Sequence, residues 1–155
     1  LRPPLWRNLE EAKEQVCYGL AHCDILKISD NEIQWLTGLE DYDQGVFWIR
    51  ERYPAIKLIL LSMGKDGSRA YAGDFQAEAQ AFRVDTIETT GAGDTFFGAV
   101  LHHVLMWGMG DYTGEQLTRM LTFANAAAAI VTTRKGALRV MPGKEEIAAL
   151  METME

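Results

Sequence analysis

The chain has 155 residues, 48% of them apolar and 24% charged, the make-up of a globular domain with a real core. Its net charge of -7 argues against nucleic acid or anionic membrane as a general partner, so any site for a phosphate-rich ligand must be local, built from backbone N–H groups and a few cations. Two cysteines, Cys17 and Cys23, are too few for a disulfide framework and lack the spacing of a zinc site. With no signal peptide and no apolar run of ~18 residues to span a membrane, the sequence reads as cytoplasmic.

The opening Leu1-Arg2-Pro3-Pro4-Leu5-Trp6 lacks a start Met and leads us to expect the C-terminal portion of a longer chain. Asn8 to about His22 reads as a helix capped by Asn8. Asp24 to Ile28 is a short apolar strand. Ser29-Asp30-Asn31-Glu32 offers caps for a short helix that Gly38 ends. Asp43 to Tyr53 forms a helix stopped by Pro54. Lys57 to Ser62 is a buried strand without alternation, as in a parallel sheet covered on both faces. Gly64-Lys65-Asp66-Gly67 makes a turn, and Ser68–Ala72 and Ala77–Phe82 two antiparallel strands around Gly73-Asp74. Thr89 to Asp94 opens a long helix to about Met106. Gly114 to about Thr132 and Glu145 to Met154 are two more. Helices alternating with apolar strands make the class α/β.

The segment Thr89-Thr90-Gly91-Ala92-Gly93-Asp94-Thr95 carries the chemistry. The first N–H groups of a helix have no internal acceptor, and the helix dipole is positive there. Glycines at 91 and 93 let a phosphate approach those N–H groups. A carboxylate at 94 could take a proton from a hydroxyl that attacks the bound phosphate. A helix cap without a ligand is the plain alternative. The Walker pattern and the dinucleotide fingerprint are both absent.

Followed by Thr95-Phe96-Phe97-Gly98-Ala99, this segment resembles the C-terminal signature of the ribokinase–fructokinase (phosphofructokinase-B type) family of sugar kinases. Four further regions resemble that family in the same order. They are Arg2–Trp6; Lys27–Glu32 with Leu36-Thr37-Gly38; Ser62–Gly67; and Phe123–Ala128 with Thr133–Ala137. That family usually carries Asp where this chain has Glu88, and often Asn where it has Ser29.

The resemblance implies a ribokinase-like three-layer α/β sandwich with a mostly parallel sheet and an antiparallel edge near Ser68–Phe82. Residues 1–155 would be its C-terminal nucleotide-binding portion, without the N-terminal half and lid. It implies Asp94 as the catalytic base and the N–H groups of Gly91, Ala92 and Gly93 as the anion hole. ATP would be bound by Ser62, Gly64, Lys65, Gly67, Asn125 and Ser29, and magnesium by Glu32 through water. A monovalent cation such as potassium would take oxygens from Glu88, Thr90, Val131, Arg134 and Gly136. The substrate class is a sugar, with D-fructose to fructose 6-phosphate the leading choice. Ribose, an aminoimidazole riboside and a 2-keto-3-deoxy sugar acid follow. A non-catalytic nucleotide-binding relative is the competing class, and the intact Gly91–Asp94 stands against it. In full-length form a homodimer is the expected assembly. His102, His103, Trp35, Trp48 and the stripe Phe96, Ala99, Val100, His103, Val104, Trp107 read as packing.

Overall fold

The elements of a computed structural model of the chain, which describes residues 5–154, follow the order read from the sequence. Arg2, Pro3 and Pro4 of the first resemblance segment lie outside the described residues. The chain divides into two compact units, residues 1–61 and 62–155.

In the first unit α1 (Leu9–Leu20) starts where the Asn8 side chain accepts from the Glu11 N–H at 2.7 Å. Strand β1 (Ile25–Ser29) follows, then α2 (Asp30–Thr37) and α3 (Tyr42–Arg52), then β2 (Leu58–Ser62), of which all but Ser62 falls in this unit. Gly38 ends α2 at φ +74, a conformation that glycine adopts without strain. The strands β1 and β2 are neighbours joined through α2 and α3, the kind of crossover that parallel strands require. Leu58 to Leu61 are all buried, as the unbroken apolar run predicts. Ile33, Leu36 and Ile49 line the same core, and Arg52 stacks over Trp48 at 4.0 Å. Cys17 and Cys23 are free thiols.

In the second unit β3 (Ser68–Ala72) and β4 (Phe75–Ala79) form an antiparallel hairpin, with Ala72 opposite Phe75 and Ser68 opposite Ala79. Gly73 at φ +53 permits the two-residue turn. Arg69 and Glu78 pair across it at 2.9 Å. The second strand thus starts two residues earlier than expected and ends at Ala79 rather than Phe82. Its end has a cause: the next carbonyls, those of Ala79 and Gln80, accept from the Asn125 amide instead of continuing a ladder. Helix α4 (Ala92–Trp107) then packs antiparallel on α5 (Gly114–Thr132), and α6 (Lys144–Met151) covers α5. Thr113 and Gln116 form a reciprocal cap at the start of α5. Val100, Leu117, Met120, Leu121, Ala124 and Val131 are fully buried. No described helix is long and apolar enough to cross a membrane.

His103 is 4% exposed, its Nδ1 is 3.1 Å from the Ala99 carbonyl, and its ring packs on Phe123 and Trp107. Burial lowers its pKa from the ordinary 6.5, the Ala99 carbonyl opposes the shift, and His102 and Arg119 add to it. The unfolded chain therefore binds a proton first as pH falls. The stability of the neutral ring is complete above the ordinary value and is lost as pH drops through it towards the folded one. His103→Phe, which keeps a ring between Phe123 and Trp107, should flatten the fall in melting temperature between about pH 7.5 and about pH 5.5. An unchanged slope would contradict this assignment.

Candidate active site

The start of α4 is built by a glycine. Gly91 is the residue before the helix and sits at φ +86, where its carbonyl accepts from the Thr95 N–H at 2.8 Å. No side chain caps this end. The Ala92 N–H turns back to the Thr89 carbonyl at 3.2 Å, so the expected anion hole rests chiefly on Gly91 and Gly93, with the Asp94 N–H beside them. Asp94 is exposed, and its carboxylate has no hydrogen bond or ion pair among the described residues. Thr95 is 7% exposed, and its hydroxyl has no hydrogen-bond partner among the described residues. Open helix N–H groups, a free carboxylate and an unmatched hydroxyl thus occur within five residues, and each is a group that a polar ligand or water would satisfy.

The entry to this helix is held by α5. The carbonyl of Thr132 accepts the N–H groups of both Ile87 and Glu88, at 2.8 and 3.1 Å. Gly136 follows at φ +125, then Ala137 at φ +42, the one non-glycine with positive φ among the described residues. A Cβ at Gly91 would stand 3.5 Å from Ala137, so the loop after α5 lies directly against the helix start. These bonds bring together the two segments of the expected monovalent-cation set, Glu88 with Thr90 and Val131 with Arg134 and Gly136. The carbonyl of Val131 accepts from Arg134 at 3.4 Å and that of Gly136 from Arg139 at 3.0 Å. The Arg134 guanidinium is paired with Glu146. Carbonyl oxygens fit a hard cation.

The expected nucleotide loop is a closed turn. The Met63 N–H donates to the Gly67 carbonyl at 2.9 Å, and the Gly67 N–H to that of Gly64 at 3.3 Å. Gly64 and Lys65 are exposed, Ser62 is half-buried and Gly67 is buried at φ +94. Asn125, expected at the nucleotide, is 8% exposed; its Nδ2 donates to the carbonyls of Ala79 and Gln80 at 3.0 Å each, and its Oδ1 accepts from the Ser68 hydroxyl at 2.9 Å. Both amide hydrogens are thus used inside the protein.

In the first unit Ser29 and Glu32 cap each other across the start of α2. The Glu32 N–H donates to the Ser29 hydroxyl at 3.3 Å, and the Ser29 N–H to Glu32 Oε2 at 2.9 Å. The sequence signal Ser-x-x-Glu for this box was present. Glu32 also lines a largely apolar cavity of about 540 Å³ with Trp6, Lys27 and Trp35. No group of three or more His, Cys, Asp or Glu side chains among the described residues is placed to hold a metal. Magnesium, which keeps waters and phosphate oxygens as ligands, does not require one.

Residues 1–143 match the family described as pfkB family carbohydrate kinase. The chain belongs to that family. Within the pfkB family it is 40% identical over 145 residues to the probable fructokinase-2 of Arabidopsis thaliana, a match covering 92% of this chain and 43% of that protein. It is 37% identical over 152 residues to fructokinase-1 of Zea mays, covering 98% and 47%. The chain spans less than half the length of these two relatives. It superposes on the fructokinase from Vibrio cholerae O395 in its fructose, ADP and calcium ion bound form with a TM-score of 0.85 and 28% identity, covering 97% of this chain and 48% of that one. For the aminoimidazole riboside kinase from Salmonella enterica, complexed with aminoimidazole riboside and an ATP analog, the TM-score is 0.83 and the identity 28%, over 97% and 50%.

The contacts that Thr132 and Ala137 make with the start of α4 link distant segments of this pfkB-family chain and leave no local signal in its sequence.

Proposed function

We propose that the protein is an ATP-dependent sugar kinase that converts D-fructose to fructose 6-phosphate. The observation that carries this is the uncapped start of α4, where Gly91 opens the backbone and Asp94 stands free one turn in. Asp94 takes the proton of the attacking sugar hydroxyl. The hydroxyl oxygen forms a bond to the γ-phosphorus as the bond to the ADP oxygen breaks. The N–H groups of Gly91 and Gly93, aided by Ala92, hold the charge that develops on the transferring group. Ser62, Gly64, Lys65 and Gly67 present the nucleotide, with backbone groups at the glycines. Ser29 and Glu32 keep their assigned roles near phosphate and magnesium, and Glu32 acts through water. Magnesium supplies charge neutralisation on the phosphates. The oxygens of Glu88, Thr90, Val131, Arg134 and Gly136 form the monovalent-cation site.

Fructose as substrate is supported by the fructokinase relatives, whose identity to this chain reaches 40%. The likeness to the aminoimidazole riboside kinase supports a riboside as the second reading. The test is a sugar panel with ATP and magnesium on the protein at its full natural length, run with potassium and again with a bulky organic cation. Fructose should give the highest kcat/KM, and potassium the faster rate. ATP consumption with no sugar phosphorylated would refute the assignment, and preference for a riboside would replace fructose.

A further inference from the structure

Three separate features converge on one carbonyl, that of Ala79. Asn125 donates to it from the middle of α5, across 46 residues of sequence. Gly67, the last residue of the proposed nucleotide loop, lies so close that a Cβ there would stand 2.2 Å from the same oxygen. Ser68, the next residue, pairs with Ala79 in the hairpin, is fully buried, and donates its hydroxyl to Asn125 Oδ1 at 2.9 Å. The second amide hydrogen of Asn125 fixes the Gln80 carbonyl as the strand ends. One side chain therefore fastens both the outgoing end of the loop and the backbone on which its glycine rests. The loop itself is closed by turn bonds, Met63 N–H to the Gly67 carbonyl, Asp66 N–H to the Met63 carbonyl and Gly67 N–H to the Gly64 carbonyl. Its placement comes from this fastening.

We infer that Asn125 is a positioning residue for nucleotide binding, acting through Ser68 and the Ala79 carbonyl on the loop Ser62–Gly67, without touching the nucleotide itself. The inference rests on the kinase reading above. A positioning residue and a base-contacting residue leave different marks. Loosening the loop weakens every nucleotide alike, because the loop offers backbone groups that meet phosphate and ribose whatever the base. Losing a base contact changes the preference between bases.

The experiment is calorimetric titration of non-hydrolysable ATP and GTP analogues into the full-length protein, with Asn125→Ala and Ser68→Ala as variants. All are measured below their melting transitions. Ser68→Ala removes one donor and carries the test if Asn125→Ala does not fold. Both variants should bind both analogues more weakly, by about tenfold for Asn125→Ala and less for Ser68→Ala, with the ratio of the two analogues as in the parent. A changed ratio in Asn125→Ala alone would overturn the inference in favour of direct base contact. Unchanged affinities alongside lowered melting temperatures would reduce the network to a purely stabilising one. A parent protein that binds neither analogue would refute the kinase reading, and this inference with it.

Discussion

Asp94→Asn should lower kcat by about a thousandfold while leaving the KM for ATP close to that of the parent protein, since a positioned general base contributes roughly 10²–10⁴. The structure gives this substitution unusual clarity. The carboxylate is exposed and has no partner among the described residues, so its replacement by the isosteric amide breaks no contact. The cost to folding is limited to a first-turn charge favoured by the helix dipole, about 0.5 kcal/mol. Activity should vanish from a protein that melts almost where the parent does. Steady-state kinetics beside thermal melts check both halves. A rate within about tenfold of the parent would remove Asp94 from its role as base.

Gly67→Ala should be among the most destabilising single substitutions in the second unit. The backbone at φ +94 and ψ -142 suits glycine alone, and the added methyl would meet the Ala79 oxygen at 2.2 Å and the Ala81 nitrogen at 3.1 Å. Strain and overpacking together amount to about 3 kcal/mol or more, a melting-temperature loss on the order of 10 °C. Gly64→Ala is the control within the same loop. Gly64 also has positive φ, at +57, but nothing lies within 4 Å of its added Cβ, so it should lose only about 1 kcal/mol. Equal losses at the two sites would show that the close approach to Ala79 is not what holds the loop.

Local chemistry made much of the fold legible. Asn8 and Gly38 are set by capping rules that act over three or four residues, and each stands where those rules put it. The unbroken apolar run Leu58–Leu61 announced a strand buried on both faces. The end of β4 was not legible, because it depends on an amide 46 residues away. The same distance hid the real partners of Asn125, which in sequence is only a polar residue in an alanine-rich helix. At the candidate site the pattern Gly-x-Gly-Asp foretold an open helix start. It could not foretell that Ala92 turns back on Thr89, or that Thr132 ties the segment to α5. Ser29 and Glu32 show the reverse case. Their spacing matched both a capping box and a ligand pair, and the two hydrogen bonds between them reveal that the box is formed.

Phosphate binding at Gly91–Gly93, with Asp94 against the attacking hydroxyl, is tested most directly by a crystal structure of the full-length protein with a non-hydrolysable ATP analogue and fructose. The γ-phosphate is expected within hydrogen-bonding distance of the Gly91 and Gly93 N–H groups, and the fructose 6-hydroxyl against the Asp94 carboxylate. Phosphates bound away from the start of α4, or a sugar hydroxyl facing a different acid, would contradict it.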